Sequence, residues 1–315
     1  MTTPVIFLVF NRPALTRQVF ARIRDARPPQ LYVVADGPRP DRPGEAEKCA
    51  EVRRLIEEGI DWPCELIRDY SDVNLGCGKR VASGITNVFK RVEEAIILED
   101  DCLPDPTFFP FCSELLEKYR NEPQVGLISG SHHQSEFSFG RDDYYFCRYG
   151  NIWGWATWKR AWQCFDYSMN DWSSWIREGK MNQLFAASEV REYWTKIWDD
   201  TAAGKYDTWD YQWTFCYMSR GMLGILPRTA LIENIGFGPD ATHTLQKEDS
   251  GSIVGPMIFP LRHPLHLKPD FEAEARASQR FFSEPSTMER IRRKAIRIYQ
   301  DPVREFRRTF RIETQ

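Results

Sequence analysis

The chain lacks any long hydrophobic run. None of its 315 residues lies in an apolar stretch near the roughly 20 residues that cross a membrane as a helix. A secretory signal is also missing at the start, because MTTPVIFLVFNRP passes directly into a segment typical of a short buried strand. We therefore expect a cytoplasmic protein, with peripheral attachment to a membrane as an alternative.

Paired cysteines are missing as well. The chain has 8 cysteines, none in a CxxC pair and none at zinc-ligand spacing from a histidine. Several stand in apolar segments, which favours free, buried thiols in a reducing compartment. A structural zinc site is therefore not expected.

Two phosphate-binding motifs are absent. The first apolar run is followed by FNRP, where dinucleotide-binding proteins have G-x-G-x-x-G, and no G-x-x-x-x-G-K-[ST] occurs. Residues 74–78, NLGCG, open a predicted helix. They are either a weak phosphate or sugar signal or a turn with a glycine cap. Dinucleotide binding is therefore not expected.

Excess positive charge is absent from the chain as a whole. The net charge of −3 argues against a nucleic-acid partner. Residues 289–311 differ, because they hold nine Lys and Arg against three acids. This tail could lie as a helix on an anionic membrane surface, or it could be a solvated helix packed by one face.

The first hundred residues do contain a regular alternation of strands and helices. Apolar runs predict buried strands at 4–10, 31–36 and 95–100, and CELIRD at 64–69 predicts a further strand. Helices are predicted between and after them, at 13–26, 43–58 and 78–91. This order predicts the α/β class with a mainly parallel, doubly wound sheet. Later strands are predicted at 125–129 and 223–226, and later helices at 106–120, 172–178, 189–203, 210–220, 270–283 and 287–311.

Acidic residues collect where the fourth predicted strand ends. The apolar residues 95–98 lead directly into Glu99, Asp100 and Asp101. Ligands of open α/β sheets bind at the carboxyl ends of the strands, where Arg12 also follows a predicted strand. Carboxylates suit Mg²⁺ or Mn²⁺ together with substrate phosphates, and Asp101 is the expected direct ligand. The alternative is a cluster that stabilises the start of the next helix.

Six segments form an ordered pattern: PVIFLVFNRP, YVVADGP, ILEDDCLPDPTFF, WGWATWKRAW, TWDYQW and GFGPDATH. The pattern spans residues 4 to about 243, and ILEDD followed by DPTFF is its most specific part. It resembles a nucleotide-sugar glycosyltransferase of the GT-A fold, of the N-acetylglucosaminyltransferase I type. The resemblance implies a metal-dependent, inverting enzyme that uses Mn²⁺ or Mg²⁺. The enzyme would move a sugar from a nucleoside-diphosphate sugar to a hydroxyl of a glycan or lipid-linked acceptor.

The resemblance also implies how the chain is divided. Residues 1–102 would be the nucleotide-sugar-binding half. Residues 103–248 would be the acceptor-binding and catalytic half of the same domain. Residues 249–315 would then form a basic, helical C-terminal extension.

Donor-binding roles follow from the same resemblance. Arg12 would contact the donor diphosphate, Asp36 the nucleotide base, and Asp101 the metal that bridges the phosphates. Asp100 would lie near the ribose or the sugar, and Glu99 beside it completes the predicted donor site.

A loop at residues 236–243 matches a segment that closes over the donor. His243 in this loop is a predicted further ligand of metal or phosphate. The alternative is a solvated histidine, which is common in loops.

Asp210 of TWDYQW matches the position of the general base. An acceptor hydroxyl must lose its proton during transfer, so a carboxylate within hydrogen-bond reach is required. The alternative is an ordinary acid in the first turn of a helix. Competing carboxylates lie nearby at Asp199, Asp200 and Asp207.

Tryptophans are unusually frequent, with 11 in the chain. Sugars stack their C–H faces on aromatic rings, and Gly154 lies between two of the tryptophans where a ligand could approach the backbone. We therefore predict acceptor contacts from Trp153, Trp155 and Trp209. The alternative is packing between the sheet and the helices.

Two other functions remain open. One is a nucleotidyltransferase on a related sheet, although Asn11-Arg12-Pro13 is a poor phosphate-binding loop. The other is a non-catalytic carbohydrate-binding protein that has kept the fold.

Overall fold

Strands and helices alternate along the part of the chain that the computed structural model describes, residues 2–132, 141–237 and 254–282. The strands are β1 (Val5–Val9), β2 (Gln30–Ala35), β3 (Glu65–Tyr70), β4 (Glu94–Glu99), β5 (Cys102–Pro104), β6 (Val125–Ser129), β7 (Tyr144–Cys147), β8 (Trp155–Trp158), β9 (Leu223–Pro227) and β10 (Ile232–Asn234). The longer helices are α1 (Pro13–Ala26), α2 (Glu45–Glu58), α3 (Cys77–Val88), α4 (Phe108–Lys118), α8 (Ser188–Ala202) and α9 (Asp210–Met218). The shorter ones are α5 (Lys159–Trp162), α6 (Trp172–Arg177), α7 (Met181–Leu184) and α10 (Phe271–Ala277), with a π-helical turn at Ser278–Phe282.

Eight strands form one sheet in the order β3-β2-β1-β4-β8-β6-β9-β7. The first four run parallel to each other, and β6 and β9 are also parallel. Strand β8 is antiparallel to both of its neighbours, and β7 is an antiparallel edge strand. The predicted α/β class with a mainly parallel sheet is therefore confirmed.

Both faces of the sheet are covered, which explains why its central strands are continuous apolar runs. Phe7 of β1 points into a cluster that includes Val19 of α1 and Val52 of α2. Its neighbour Ile6 points into the opposite cluster, which includes Ile85 of α3 and residues of α8 and α9. Strand β3 at the sheet edge is only partly covered, and none of its residues is buried. The sheet is thus doubly wound, as the sequence predicted.

Strands from residues 1–102 and from residues 103–248 belong to the same sheet. Strand β4 of the first range pairs with β8 of the second, with Ile97 opposite Trp155. Both ranges therefore contribute to the hydrophobic clusters on the two faces of the sheet. The boundary at residue 102 stays a prediction.

The segment that ends in α10 covers the edge strand β7. The backbone N–H of Asp270 donates to the carbonyl of Phe146 at 2.8 Å, and that of Arg148 donates to Glu274 Oε1 at 2.8 Å. Covering an edge strand removes a row of free backbone groups that would otherwise pair with another chain. The helix predicted at 270–283 appears as α10 and the π-helical turn.

The helix predicted at 287–311, and with it the predicted membrane contact of the basic tail, lies outside the described residues. Within the described part, no helix combines the length and hydrophobicity needed to span a bilayer.

Candidate functional site

The predicted acidic edge is formed by the turn that follows β4. Arg12, which immediately precedes α1, reaches this turn with both ends of its guanidinium. Its Nη1 lies 2.9 Å from Asp101 Oδ2, and its Nη2 pairs with Asp100 Oδ1. The side chain of Asp100 is 3% exposed and that of Asp101 is 15% exposed. The structure therefore brings Arg12, Asp100 and Asp101 together, because β1 and β4 are neighbours that end at the same edge.

The charges at this edge are only partly balanced. Burial raises the pKa of Glu99 to about 8, with Asp101 and Asp100 acting in the same direction and Arg12 opposing them. Burial also raises the pKa of Asp100 to about 6, again against the effect of Arg12. Burial works against the charge of Arg12, but Asp100 and Asp101 outweigh it and raise the pKa of Arg12 above its ordinary value. One cation faces three carboxyl groups, so a second cation would be stabilised here.

These residues fit a divalent cation that is shared with a substrate. Asp100 Oδ2 is buried and has no hydrogen-bond partner among the described residues. The described residues contain no group of three or more His, Cys, Asp and Glu side chains that would hold a metal by themselves. Mg²⁺ often binds through one or two carboxylates plus substrate phosphates, and Asp100 and Asp101 offer that donor set.

The loop that is predicted to close over the donor is in contact with Asp101 at its start. Strand β10 pairs with β5, and the N–H of Ile235 donates to the carbonyl of Asp101 at 2.9 Å. A Cβ atom at Gly236 would lie 2.3 Å from Asp101 Oδ2, so only glycine permits this approach. The next residue, Phe237, makes an edge contact with Trp153 at a ring distance of 6.0 Å. His243 lies outside the described residues, and its predicted role stays a prediction.

Asp36 is held by hydrogen bonds from the backbone around it. Its carboxylate accepts hydrogen bonds from the N–H groups of Gly37 at 2.9 Å, Leu75 at 2.9 Å and Gly76 at 3.2 Å. Burial raises its pKa, while these backbone bonds and Arg80 act in the opposite direction. Asp36 thus ties the end of β2 to the loop before α3. Its predicted contact with a nucleotide base stays a prediction.

Asp210 is the first residue of α9. The hydroxyl of Thr208 donates to Asp210 Oδ1. Its charge is among those that raise the pKa of Glu99, after burial and the charges of Asp101 and Asp100. The helix that carries the predicted base therefore starts within electrostatic reach of the predicted donor site.

Two of the three predicted acceptor-binding tryptophans belong to the core. Trp155 is 1% exposed and Trp209 is 2% exposed. Their rings stack on each other at 5.6 Å with an interplanar angle of 20°. An acceptor contact by these two rings does not fit their burial, and the alternative of packing between sheet and helices describes them. Trp153 is only partly buried, and its ring contacts Phe237 at the start of the predicted closing loop.

Asp207 has a contact that the sequence did not reveal. The carboxylate accepts hydrogen bonds from the backbone N–H groups of Cys77 and Gly78, at 3.0 Å and 2.9 Å. In the sequence, Asp207 is only one of several acids near Asp210. The one available signal was the glycine pair in NLGCG, which is typical of a close approach to the backbone.

Comparisons with known proteins give weak similarities. No family model and no curated protein matches the chain. Among solved structures, TarS of S. aureus is 10% identical with a TM-score of 0.29, over 45% of this chain and 24% of TarS. A cytidylyltransferase from Leptospira borgpetersenii is 9% identical with a TM-score of 0.31, over 66% of this chain and 75% of that one. An apo UDP-glucose pyrophosphorylase is 10% identical with a TM-score of 0.36, over 79% of this chain and 94% of that one. The matched part of this chain spans about a quarter of TarS, and similarities at this level assign no activity.

Proposed function

We propose that the chain is a glycosyltransferase that uses a nucleoside-diphosphate sugar and a divalent metal. The observation that carries the proposal is the pair Asp100 and Asp101, bridged by Arg12 at the carboxyl end of β4. Asp210, on a different element, lies within electrostatic reach of Glu99 at the same edge. A nucleoside diphosphate, a cation and a proton acceptor would then meet at one edge of the sheet.

At the donor end, carboxylates would bind the metal cation and a positively charged side chain would bind the diphosphate. Asp101 and the free Oδ2 of Asp100 would hold Mn²⁺ or Mg²⁺. When bound, the cation would offset the negative charge that develops on the leaving diphosphate. Arg12 is 20% exposed at its side chain, so it can turn from the carboxylates to a phosphate oxygen. Its planar guanidinium suits paired contacts with phosphate as well as with carboxylate.

The acceptor end would use Asp210 as general base. Because Thr208 holds Oδ1, we assign Oδ2 as the atom that accepts the proton of the acceptor hydroxyl. The hydroxyl oxygen would then form a bond to the sugar while the bond to the diphosphate breaks. One displacement of this kind inverts the sugar carbon. General-base assistance contributes about 10² to 10⁴ in rate.

The test combines binding and turnover in two variants. Wild-type protein is screened by thermal shift with nucleoside-diphosphate sugars, with and without Mn²⁺. A ligand at a hundred times its Kd adds about 2.7 kcal/mol to the stability. Asp101→Asn should lose the metal-dependent part of the shift. Asp210→Asn should bind the donor nearly as well as wild type and transfer at least about a hundredfold more slowly.

Asp25→Asn is the matched control, because Asp25 is an exposed acid in α1. It should behave as wild type in both assays. Wild-type turnover in Asp101→Asn and Asp210→Asn would refute the proposal.

The same screen distinguishes the two other functions. Release of pyrophosphate from a nucleoside triphosphate would indicate a nucleotidyltransferase. Sugar binding without metal dependence and without turnover would indicate a carbohydrate-binding protein.

A further inference from the structure

Helix α3 begins without a capping side chain of its own, because Gly76 occupies the N-cap position. The first N–H groups of a helix have no partner within the helix. Here Asp207, 130 residues away in the chain, supplies an acceptor. Its carboxylate accepts hydrogen bonds from the N–H groups of Cys77 at 3.0 Å and Gly78 at 2.9 Å. A negative charge at this end is also favoured by the helix dipole. We call this arrangement the Asp207 clasp.

The NLGCG segment has the shape that the clasp requires. Gly76 has a φ of +81°, and a Cβ atom there would lie 2.6 Å from Asp207 Oδ2. A Cβ atom at Gly78 would lie 2.5 Å from the carbonyl oxygen of Thr208 and 2.6 Å from the hydroxyl of Tyr167. The two glycines therefore form a cradle for residues 207 and 208 of the same chain. Of the two interpretations left open by the sequence, the glycine-capped turn describes the segment.

The segment from Asp207 to Asp210 is held at both ends. Asp207 is fixed on α3, and the hydroxyl of Thr208 donates to Asp210. Gln212 Nε2 in the first turn of α9 donates to the carbonyl of Thr208 at 2.9 Å. Trp209 is buried against Trp155 of β8. Little freedom remains for the start of α9 as long as the clasp is formed.

The turn before α3 is also hydrogen-bonded to the sheet. The N–H groups of Leu75 and Gly76, just before α3, donate to Asp36 at the end of β2. Asp36 and Asp207 thus hold consecutive parts of one turn. Hydrogen bonds through the turn before α3 and through the exposed Asp207 connect the edge of the sheet to Asp210 in this way.

We propose that Asp207 is a positioning residue that sets the place of Asp210 relative to the acidic edge. This inference rests on the proposed function, because it gives Asp207 a role in proton removal that Asp210 carries out. Asp207 touches no reacting atom in this scheme. A displacement of a reacting group by about 1 Å costs on the order of 10² in rate. Losing the clasp should therefore lower kcat and leave donor binding intact.

Two variants break the clasp from opposite sides. Asp207→Asn keeps the size of the side chain but replaces one acceptor oxygen with a donor that faces an N–H group. Gly76→Ala leaves Asp207 unchanged and places a methyl group against its carboxylate. We expect both variants to lower kcat by about 30- to 100-fold. The KM for the donor should stay within about twofold of wild type.

The matched control is Asp200→Asn. Asp200 lies in α8, near Asp207 in the chain, and pairs with Lys205 at 2.6 Å. Its side chain accepts hydrogen bonds from Lys205 and Tyr206, and neither of these residues lies in α3. This variant should keep the wild-type kcat. All rates are measured below the unfolding temperature of each variant and are divided by the folded fraction from circular dichroism.

A purely structural role would lower the unfolding temperature without changing kcat per folded molecule, and that result in both variants would overturn the inference. Hydrogen exchange gives a second measurement, since the amides of Cys77 and Gly78 should lose protection in Asp207→Asn and keep it in Asp200→Asn. An inactive wild-type protein would refute the proposed function. An active wild type with an equally active Asp207→Asn would refute the positioning role alone.

Discussion

Arg12 is a single cation between two carboxylates, and its removal should leave buried charge without a partner. Removing one member of a buried ion pair costs about 3 kcal/mol or more. We expect Arg12→Gln to lower the free energy of unfolding by about 3 kcal/mol in urea titrations. Arg17→Gln, in the helix α1 that follows Arg12, is the matched control. Arg17 is 63% exposed and lies 3.6 Å from Glu51, so it should change stability by less than about 1 kcal/mol.

The same variant should also change how the site binds metal. Arg12 forms ion pairs with both Asp100 and Asp101, so a free cation must compete with its guanidinium for these carboxylates. Mn²⁺ without nucleotide should therefore bind Arg12→Gln more tightly than wild type in calorimetric titrations. Nucleoside diphosphate with Mn²⁺ should bind it more weakly, since a phosphate contact is lost. Unchanged stability together with unchanged Mn²⁺ affinity would argue against this role of Arg12.

Gly236 is the residue at which the loop that is predicted to close over the donor meets the acidic edge. Its substitution with alanine places a methyl group 2.3 Å from Asp101 Oδ2, so the carboxylate or the loop must move. Overpacking of this kind costs about 1 to 3 kcal/mol. We expect Gly236→Ala to weaken the Mn²⁺-dependent donor binding about tenfold, which corresponds to about 1.4 kcal/mol. Gly255→Ala is the control, because its Cβ atom would lie 3.3 Å from Thr229 Cγ2 and it should bind normally.

At the scale of elements, β8 shows how tryptophans divide between core and surface. Trp155 on this strand is 1% exposed, whereas Trp153 just before it is only partly buried. We expect Trp155→Leu to lower the free energy of unfolding by about 3 kcal/mol, as for other large-to-small core changes. Trp153→Leu should cost about 1 kcal/mol or less and raise the KM for the acceptor. Equal losses of stability in the two variants would contradict this division.

The elements that the sequence predicted best are the parallel strands. The apolar runs at 4–10, 31–36 and 95–100 correspond to β1, β2 and β4, because a strand covered on both faces leaves a continuous hydrophobic signal. Strands β7 and β8 were not predicted as strands. Each has four residues, and the aromatic residues in them suit a strand or a buried helix equally well.

The site was predictable in part, for a related reason. Arg12 and Asp101 follow strands, and the ends of neighbouring parallel strands share one edge, so local patterns were enough to bring them together. The burial of Trp155 and Trp209 depends on the antiparallel insertion of β8 between β4 and β6, which no local pattern encodes. The Asp207 clasp joins residues 130 positions apart and leaves only a glycine pair as its trace.

At the scale of the whole molecule, a buried acid of α2 binds the segment between β1 and α1. Glu45 is 5% exposed and accepts hydrogen bonds from Asn11 Nδ2 at 2.9 Å and from the backbone N–H of Arg39 at 2.7 Å. The side chain of Arg39 also pairs with it at 2.5 Å. Asn11 precedes Arg12, so this network links α2 to the segment that carries the predicted phosphate contact. Protonation of Glu45 should weaken the fold as a unit.

The pH dependence of the free energy of unfolding follows from the direction in which folding changes the pKa of Glu45. Hydrogen bonds from Arg39 lower the pKa of Glu45 from 4.5 to about 2, although burial opposes them. The folded state then binds fewer protons than the unfolded state between these values. The stabilisation is therefore present above pH 4.5 and is lost as the pH falls towards 2. Because Arg39 is 43% exposed, solvent screening reduces the contribution to about 2 kcal/mol.

Urea unfolding of Glu45→Gln between pH 2 and pH 7 tests this expectation. The variant should be less stable than wild type by about 2 kcal/mol at pH 7, and the difference should shrink as the pH falls through the same window. Glu47→Gln changes an exposed acid in the same helix and should follow the wild-type curve. Parallel pH profiles for wild type and Glu45→Gln would show that the Arg39 hydrogen bonds do not stabilise the ionised carboxylate.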